Sequence, residues 1–387
     1  MKSRASILCL ALGAVALGAG TAHAADLIVS AQDGKFVRVD GVATFPEPAP
    51  RDSLVVLDAS RFPPVVKATV DVGLEHTVQG PPQAVAITPD GKLAIVAAPT
   101  RYDYANKKEL FDNFLQVVDL EASPPALIAK VDVGGHPNGL TINREGTLLL
   151  AAAHDGTVKV LTIEGKTLKL AGQVKVGEKR LSGITFTSDG KAAIVALRDE
   201  NGASVLSVDG TNVALTKERI STGVNPYAID ISSDGRWAVI GNTGTSRTVD
   251  DADVVTLVDV GRRPFRAVQQ ISVPATPEGV AISPDGRWIA VSSMAGSNLL
   301  ASDPGRHKLG TVSLFEIRNG AATKVSEVPG GEAAQGVVFT QDSKTVIVQF
   351  DVERALAVYA VRDGKLVDTN ERIKLAAGPV SIRSMPR

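Results

Sequence analysis

The chain has 387 residues, 44% of them hydrophobic and 4% aromatic, and its 41 basic and 42 acidic side chains give a formal net charge of −1. That balance excludes the strongly basic face by which proteins hold nucleic acid, and so few aromatic rings exclude a base-stacking platform. The single cysteine, Cys9, excludes a disulfide framework within the chain.

The first segment reads as an address. Lys2 and Arg4 give a positive start, Ile7 to Ala19 is an apolar run, and Ala22-His23-Ala24 is the small-x-small pattern of a cleavage site. The run is shorter than the roughly 20 residues that a spanning helix needs. We therefore expect a cleavable signal peptide over 1–24, a single domain over 25–387, export to the periplasm, and no membrane span after signal removal. Most of the apolar run follows Cys9, unlike a lipoprotein signal. The expected mature chain then has no thiol, and removing Lys2 and Arg4 takes the net charge to −3.

Next come three β-rich runs, DLIVSA from Asp26, SLVVLDA from Ser53 and VVKATVDV from Val65. A repeated unit follows: an alternating apolar run, a turn of the Asp-Gly type, and a second apolar run. It reads QAVAITPDGKLAIVAA from Gln83, NGLTINREGTLLLAAA from Asn138, SGITFTSDGKAAIVAL from Ser182, YAIDISSDGRWAVIGN from Tyr227, EGVAISPDGRWIAVSS from Glu278 and QGVVFTQDSKTVIVQF from Gln335. The turn acids Asp90, Glu145, Asp189, Asp234, Asp285 and Asp342 are 44 to 57 residues apart, close to the spacing of propeller blades once loop insertions are added. Asp-Gly between β-rich runs marks a hairpin, because glycine accepts the positive φ of the turn. Two further runs per unit, such as LQVVDL then ALIAKVDV, complete four strands. A blade cannot bury both faces alone, so blades must stack around an axis.

The ends complete the ring. PVSIRSMP from Pro379 is an innermost strand with nothing after it, and the three N-terminal runs lack one. Joined, they make a composite blade. The expected fold is all-β, a seven-bladed β-propeller closed by the C-terminal strand joining the N-terminal blade.

AVAITPDG, GVAISPDGRWIAVSS and YAIDISSDGRWAVIGN resemble the YVTN-repeat, lactonase-like propeller superfamily over essentially all of the expected mature chain. The literal tetrapeptide is absent; Ala238 to Asn242 is the nearest approach.

Residues before the innermost strands and after the second strands crowd one mouth of the channel. The long loops, Gln32 to Asp52, Pro99 to Phe114, Asn242 to Asp253 and Ser293 to Gly310, open at that same face. Loops on a rigid scaffold are where binding usually concentrates. The candidate catalytic residues there are His136, His154 and Glu278, and the candidate substrate-binding residues are Arg101, Tyr102, Arg180, Arg198, Tyr227, Asn242 and Gln335. Histidine shuttles protons near neutral pH, a glutamate partners it, and arginines hold a carboxylate. The resemblance implies a similar set, a His, a Glu and arginines serving a lactone or muconate. His136 stands in GGHPNGL, where the family often has Pro-His, and Glu278 stands in PEGVAI.

No Gly-x-Ser-x-Gly, His-Glu-x-x-His, P-loop or Cys-x-x-Cys-His occurs, so no cofactor is expected. Asp250, Asp251 and Asp253 read either as a hard-cation site or, more simply, as a solvated loop; no metal is expected. Two functions remain. One is a lactonase-like hydrolase or cyclo-isomerase acting on a small carboxylated compound. The other is a non-catalytic platform for a small molecule or a periplasmic protein at the long-loop face. A tight cluster of His136, His154 and Glu278 favours the first.

Overall fold

The computed structural model describes residues 26–386, so the expected signal segment lies outside the described residues. Seven four-stranded antiparallel sheets form a ring of blades. Blade 1 is composite: Gly378–Ser384 is its innermost strand, followed outward by Leu27–Asp33, Ser53–Asp58 and Val65–Val70. The closure pairs Ile28 with Ser384 and Ser30 with Ile382, with a bulge between Ala31 and Gln32. This is the join expected from the unpaired terminal strand. Blade 2 starts at Val85–Ile87, and blades 3 to 7 start at Pro137–Ile142, Ile184–Phe186, Pro226–Ile231, Pro277–Ile282 and Ala334–Phe339.

The second strand of a blade touches neighbours on both faces, which explains why LLLAAA, AAIVAL and WIAVSS are buried end to end. Between blades 3 and 4, for example, Leu148, Leu150, Val158 and Val160 pack on Ile184, Phe186, Ala193 and Val195. Outermost strands such as Val65–Val70 are largely exposed.

The repeated turn is a hydrogen-bonded loop rather than a two-residue hairpin. Thr88 Oγ1 donates to Asp90 at 2.6 Å, Asp90 accepts the Lys92 amide at 3.1 Å, and the Leu93 amide returns to Thr88 Oγ1 at 3.1 Å. Gly91 follows the acid at φ 69°, and in blade 7 Ser343 takes the same role at φ 61°. A Ser or Thr two residues before the acid therefore belongs to the motif.

On the opposite face, two of the long loops carry hairpins that their sequences do not announce. Val37–Val39 pairs with Val42–Thr44, and Thr100–Asp103 pairs with Lys108–Phe111. They clasp through aromatic rings: Phe45 stacks on Tyr102 at 3.8 Å, Phe36 meets Phe45 edge-on at 5.9 Å, and Tyr104 donates to the Pro46 carbonyl at 2.7 Å. The first hairpin runs from blade 1 to the loop of blade 6, where the Ala301 amide donates to the Asp40 carbonyl at 2.9 Å. Its tip requires glycine. Gly41 has φ 80°, and a Cβ there would lie 2.0 Å from the Leu299 carbonyl oxygen.

A buried charge cluster fixes the root of that hairpin. Lys35 Nζ donates to Asp33 at 3.1 Å, to Asp52 at 3.0 Å and to the His76 carbonyl. Asp52 also accepts the Gly34 amide at 2.7 Å and the His76 amide at 2.8 Å. Burial lifts the Asp52 carboxyl to about 6 against the pull of Lys35. No helix among the described residues is long and apolar enough to cross a membrane.

Candidate functional site at the long-loop mouth

His136 precedes the innermost strand of blade 3 and His154 follows its second strand, so the antiparallel pairing brings them together. Their rings lie 4.5 Å apart, and Phe111 from the second hairpin packs on both, at 4.9 and 5.8 Å. His136 Nδ1 meets the Asp112 carbonyl at 2.8 Å, which fixes that ring, while His154 Nε2 is buried without a partner. Burial holds both imidazoles below the usual histidine range. His154 falls to about 3, because His136, Arg180 and Arg198 add repulsion to the desolvation.

Arg180 precedes the innermost strand of blade 4 and Arg198 follows its second strand, so both stand at the same mouth. Arg198 opens a short 3-10 turn, Arg198–Glu200, which the left-handed Asn201 ends. Its guanidinium lies over the Tyr227 ring, 4.1 Å from the centroid. Arg180 holds Asp199 at 3.3 Å. Each arginine keeps a buried nitrogen with no acceptor, Nε of Arg180 and Nη1 of Arg198.

Tyr227, at the start of the innermost strand of blade 5, crosses the axis and donates to the Gly80 carbonyl at 2.6 Å. Glu278 begins the innermost strand of blade 6 and is buried beside Tyr227. Burial lifts its carboxyl to about 7, against the pull of Arg198, Arg38 and the Tyr227 hydroxyl. Asp351, after the second strand of blade 7, is also lifted to about 7 by burial, opposed by Arg38. Its Oδ2 has no partner, nor does Nε of Arg38. Arg38 hangs from the first hairpin and reaches the Asn298 carbonyl at 3.4 Å.

The remaining expected residues are placed differently from one another. Arg101 is exposed and forks onto Asp112 at 2.8 and 3.0 Å, behind the carbonyl that holds His136. Tyr102 is spent on the stack with Phe45. Asn242 lies inside blade 5, where its amide nitrogen donates to the Ile240 and Val254 carbonyls and to Thr256 at 2.9 to 3.1 Å. Gln335 is buried at the mouth, its amide turned back to the Ala333 carbonyl at 3.0 Å. Asp251 caps its own loop by accepting the Arg247 amide at 3.0 Å, and Asp253 accepts the Thr276 amide from the connection to blade 6 at 2.7 Å. Among the described residues no group of three metal-ligating side chains forms.

Sequence reasoning missed Arg38, Lys35 and His76. Arg38 lies within the long loop and carries no motif. His76 is buried, with Nδ1 at 2.9 Å from the Ala97 carbonyl and Nε2 at 2.9 Å from Ser381 Oγ.

Two hollows open away from the histidine–arginine cluster. One of about 120 Å³ sits at the opposite mouth, between Arg144, Asp230 and Arg383. Another of about 430 Å³ lies between the hairpins beside Lys35, Glu75 and Tyr104.

No family model and no curated protein matches the chain. Solved structures do. A candidate 6-phosphogluconolactonase from Bacteroides uniformis superposes with a TM-score of 0.67 at 16% identity, covering 94% of this chain and 100% of that one. One from Bacteroides fragilis gives 0.66 at 16% identity, covering 95% and 99%. A functionally unknown protein from Desulfotomaculum acetoxidans gives 0.66 at 12% identity, covering 93% and 99%. Likeness at such identities carries the seven-bladed fold and stops there.

Proposed function

We propose that the long-loop mouth is the active site of a lactonase-like hydrolase, of the YVTN-repeat kind, acting on a small carboxylated lactone. The observation that carries this reading is the set of unpartnered buried atoms, Arg180 Nε, Arg198 Nη1 and His154 Nε2, around one ring pair. Buried polar atoms without partners are rare in native proteins and call for a ligand or water. A substrate carboxylate takes the two arginines by charge-assisted hydrogen bonds. Burial is the main cause that keeps His154 neutral, and the same anion offsets the repulsion that His136, Arg180 and Arg198 add to it, so binding makes the imidazole a better base. His154 Nε2 then accepts a proton from water as its oxygen bonds to the lactone carbonyl carbon. The ring C–O bond breaks, and Glu278, carrying a proton near neutral pH, gives it to the departing oxygen. The imidazolium gives its proton to solvent and Glu278 takes one back, which closes the cycle.

Resemblance to candidate 6-phosphogluconolactonases supports the reading in fold alone. The test is a screen of lactones and unsaturated diacids with the parent, H154A, E278Q and R198A. The parent should hydrolyse at least one lactone, and each variant should lose about a hundredfold or more in rate. A parent inert to the whole panel sinks the enzyme reading. The platform reading has one observation of its own: Val39, Val42 and Leu300, on the roof, are each half exposed. We also propose export to the periplasm on the signal-like residues 1–24.

A further inference from the structure

The mouth carries both signs on each side. Its blade 3 and 4 side holds the two histidines, Arg180 and Arg198 with Asp199, and its blade 6, 7 and 1 side holds Glu278, Asp351, Glu353 and Asp33 with Arg38, Arg354 and Lys35. The two sides are continuous: Arg198 acts on both His154 and Glu278, and Arg38 acts on both Glu278 and Asp351. Unpartnered atoms on the first side include arginine donors and an imidazole nitrogen, beside Asn138 Oδ1 and Ser182 Oγ. On the second they include two acceptors, Asp351 Oδ2 and Glu353 Oε2.

Asp351 is the telling residue. It is 4% exposed, yet its carboxylate forms no ion pair. The charged groups that face it are Arg38 and Asp33 from the blade 1 loop and Glu353 and Arg354 from its own turn. Arg38 spends its reach on the Asn298 carbonyl, and Arg354 turns to the Ala376 carbonyl at 3.5 Å. Asp33 is already taken by Lys35. Backbone closes the remaining side, since a Cβ at Gly378 would lie 2.0 Å from Asp351 Oδ1. A buried carboxylate without a cation is costly and is relieved by one.

We propose that the ligand of this mouth is a zwitterion, with its carboxylate on Arg180 and Arg198 and an ammonium group on Asp351. The carboxylate end rests on the function proposed above; the ammonium end does not. Binding an ammonium group holds Asp351 ionised, so it releases a proton near neutral pH.

Titration calorimetry of the full chain with 4-aminobutyrate, 5-aminovalerate and 6-aminohexanoate, against butyrate, valerate and hexanoate, tests the proposal. At least one amino acid should bind tenfold or more tighter than its plain acid. D351N should abolish that advantage without weakening the plain acid, while R198A should weaken both. In the parent, runs in two buffers of different ionisation enthalpy should report proton release for the amino acid alone, a readout that needs no variant. Equal affinity of the two series, or an advantage that survives in D351N, overturns the zwitterion and leaves the carboxylate site standing. Amino acids that bind through Asp351 but ignore R198A overturn both, as does the absence of any binding.

Discussion

Lys35 is the residue whose removal the structure prices most directly. Its ammonium is nearly buried and joins Asp33, Asp52 and the His76 carbonyl, so it ties the end of one strand, the start of the next and the approach to blade 2. In K35M the aliphatic stem is kept and the charge is lost, leaving two carboxylates that are 1% and 7% exposed facing each other. Breaking a buried pair by removing one partner typically costs about 3–5 kcal/mol, and we expect a loss in that range at pH 7.5 by urea unfolding. The loss should shrink as pH falls from 7.5 towards about 6 and level off below it, where the native parent takes up the same proton. Without Lys35 the Asp52 carboxyl rises further above its unfolded value, so the native state binds a proton that the unfolded chain does not, and stability recovers as pH falls. Adding D52N to K35M removes one stranded charge and should restore about 1–2 kcal/mol, roughly the penalty of a buried unsatisfied group. A loss under about 1 kcal/mol, or a double variant as weak as the sum of its parts, refutes the claim that the cluster is a coupled ion pair.

Ring closure should be sensitive to I382A, because Ile382 is 1% exposed among Ile28, Leu57 and Val338; about 2–5 kcal/mol is expected by urea unfolding, and an unchanged midpoint argues against a closed ring. E278Q should gain stability relative to the parent as pH rises from about 4 to 7. Burial makes native Glu278 hold its proton through that window while the unfolded chain has lost it, so the parent weakens with rising pH and the amide does not. Parallel stability curves for the two proteins would contradict the burial of that carboxyl. Mass spectrometry of protein secreted by an expressing bacterium should find Ala25 as the first residue; a retained Met1 or a lipid on Cys9 rules out the proposed cleavage.

The repeat, the blade count and the composite closure were legible from the residues themselves. Alternating apolar runs, a turn acid followed in most blades by glycine, and one strand left over at the C-terminus for the three at the N-terminus are local patterns. The meeting of His136 and His154 was legible for the same reason, since hairpin pairing alone sets two residues at one blade end side by side. Asn242 shows the limit: it stands at the right end of a strand, yet its amide turns into the blade because Thr256 and two carbonyls need it there. Arg38 shows the converse. It comes from a hairpin hidden in a long loop and acts on Asp351, which stands at the expected end of a second strand in the neighbouring blade, more than 300 positions later. Which of these charges are paired and which are left bare depends on how insertions from different blades pack over the axis, because burial and partner distance belong to the assembled ring and to no single segment of it.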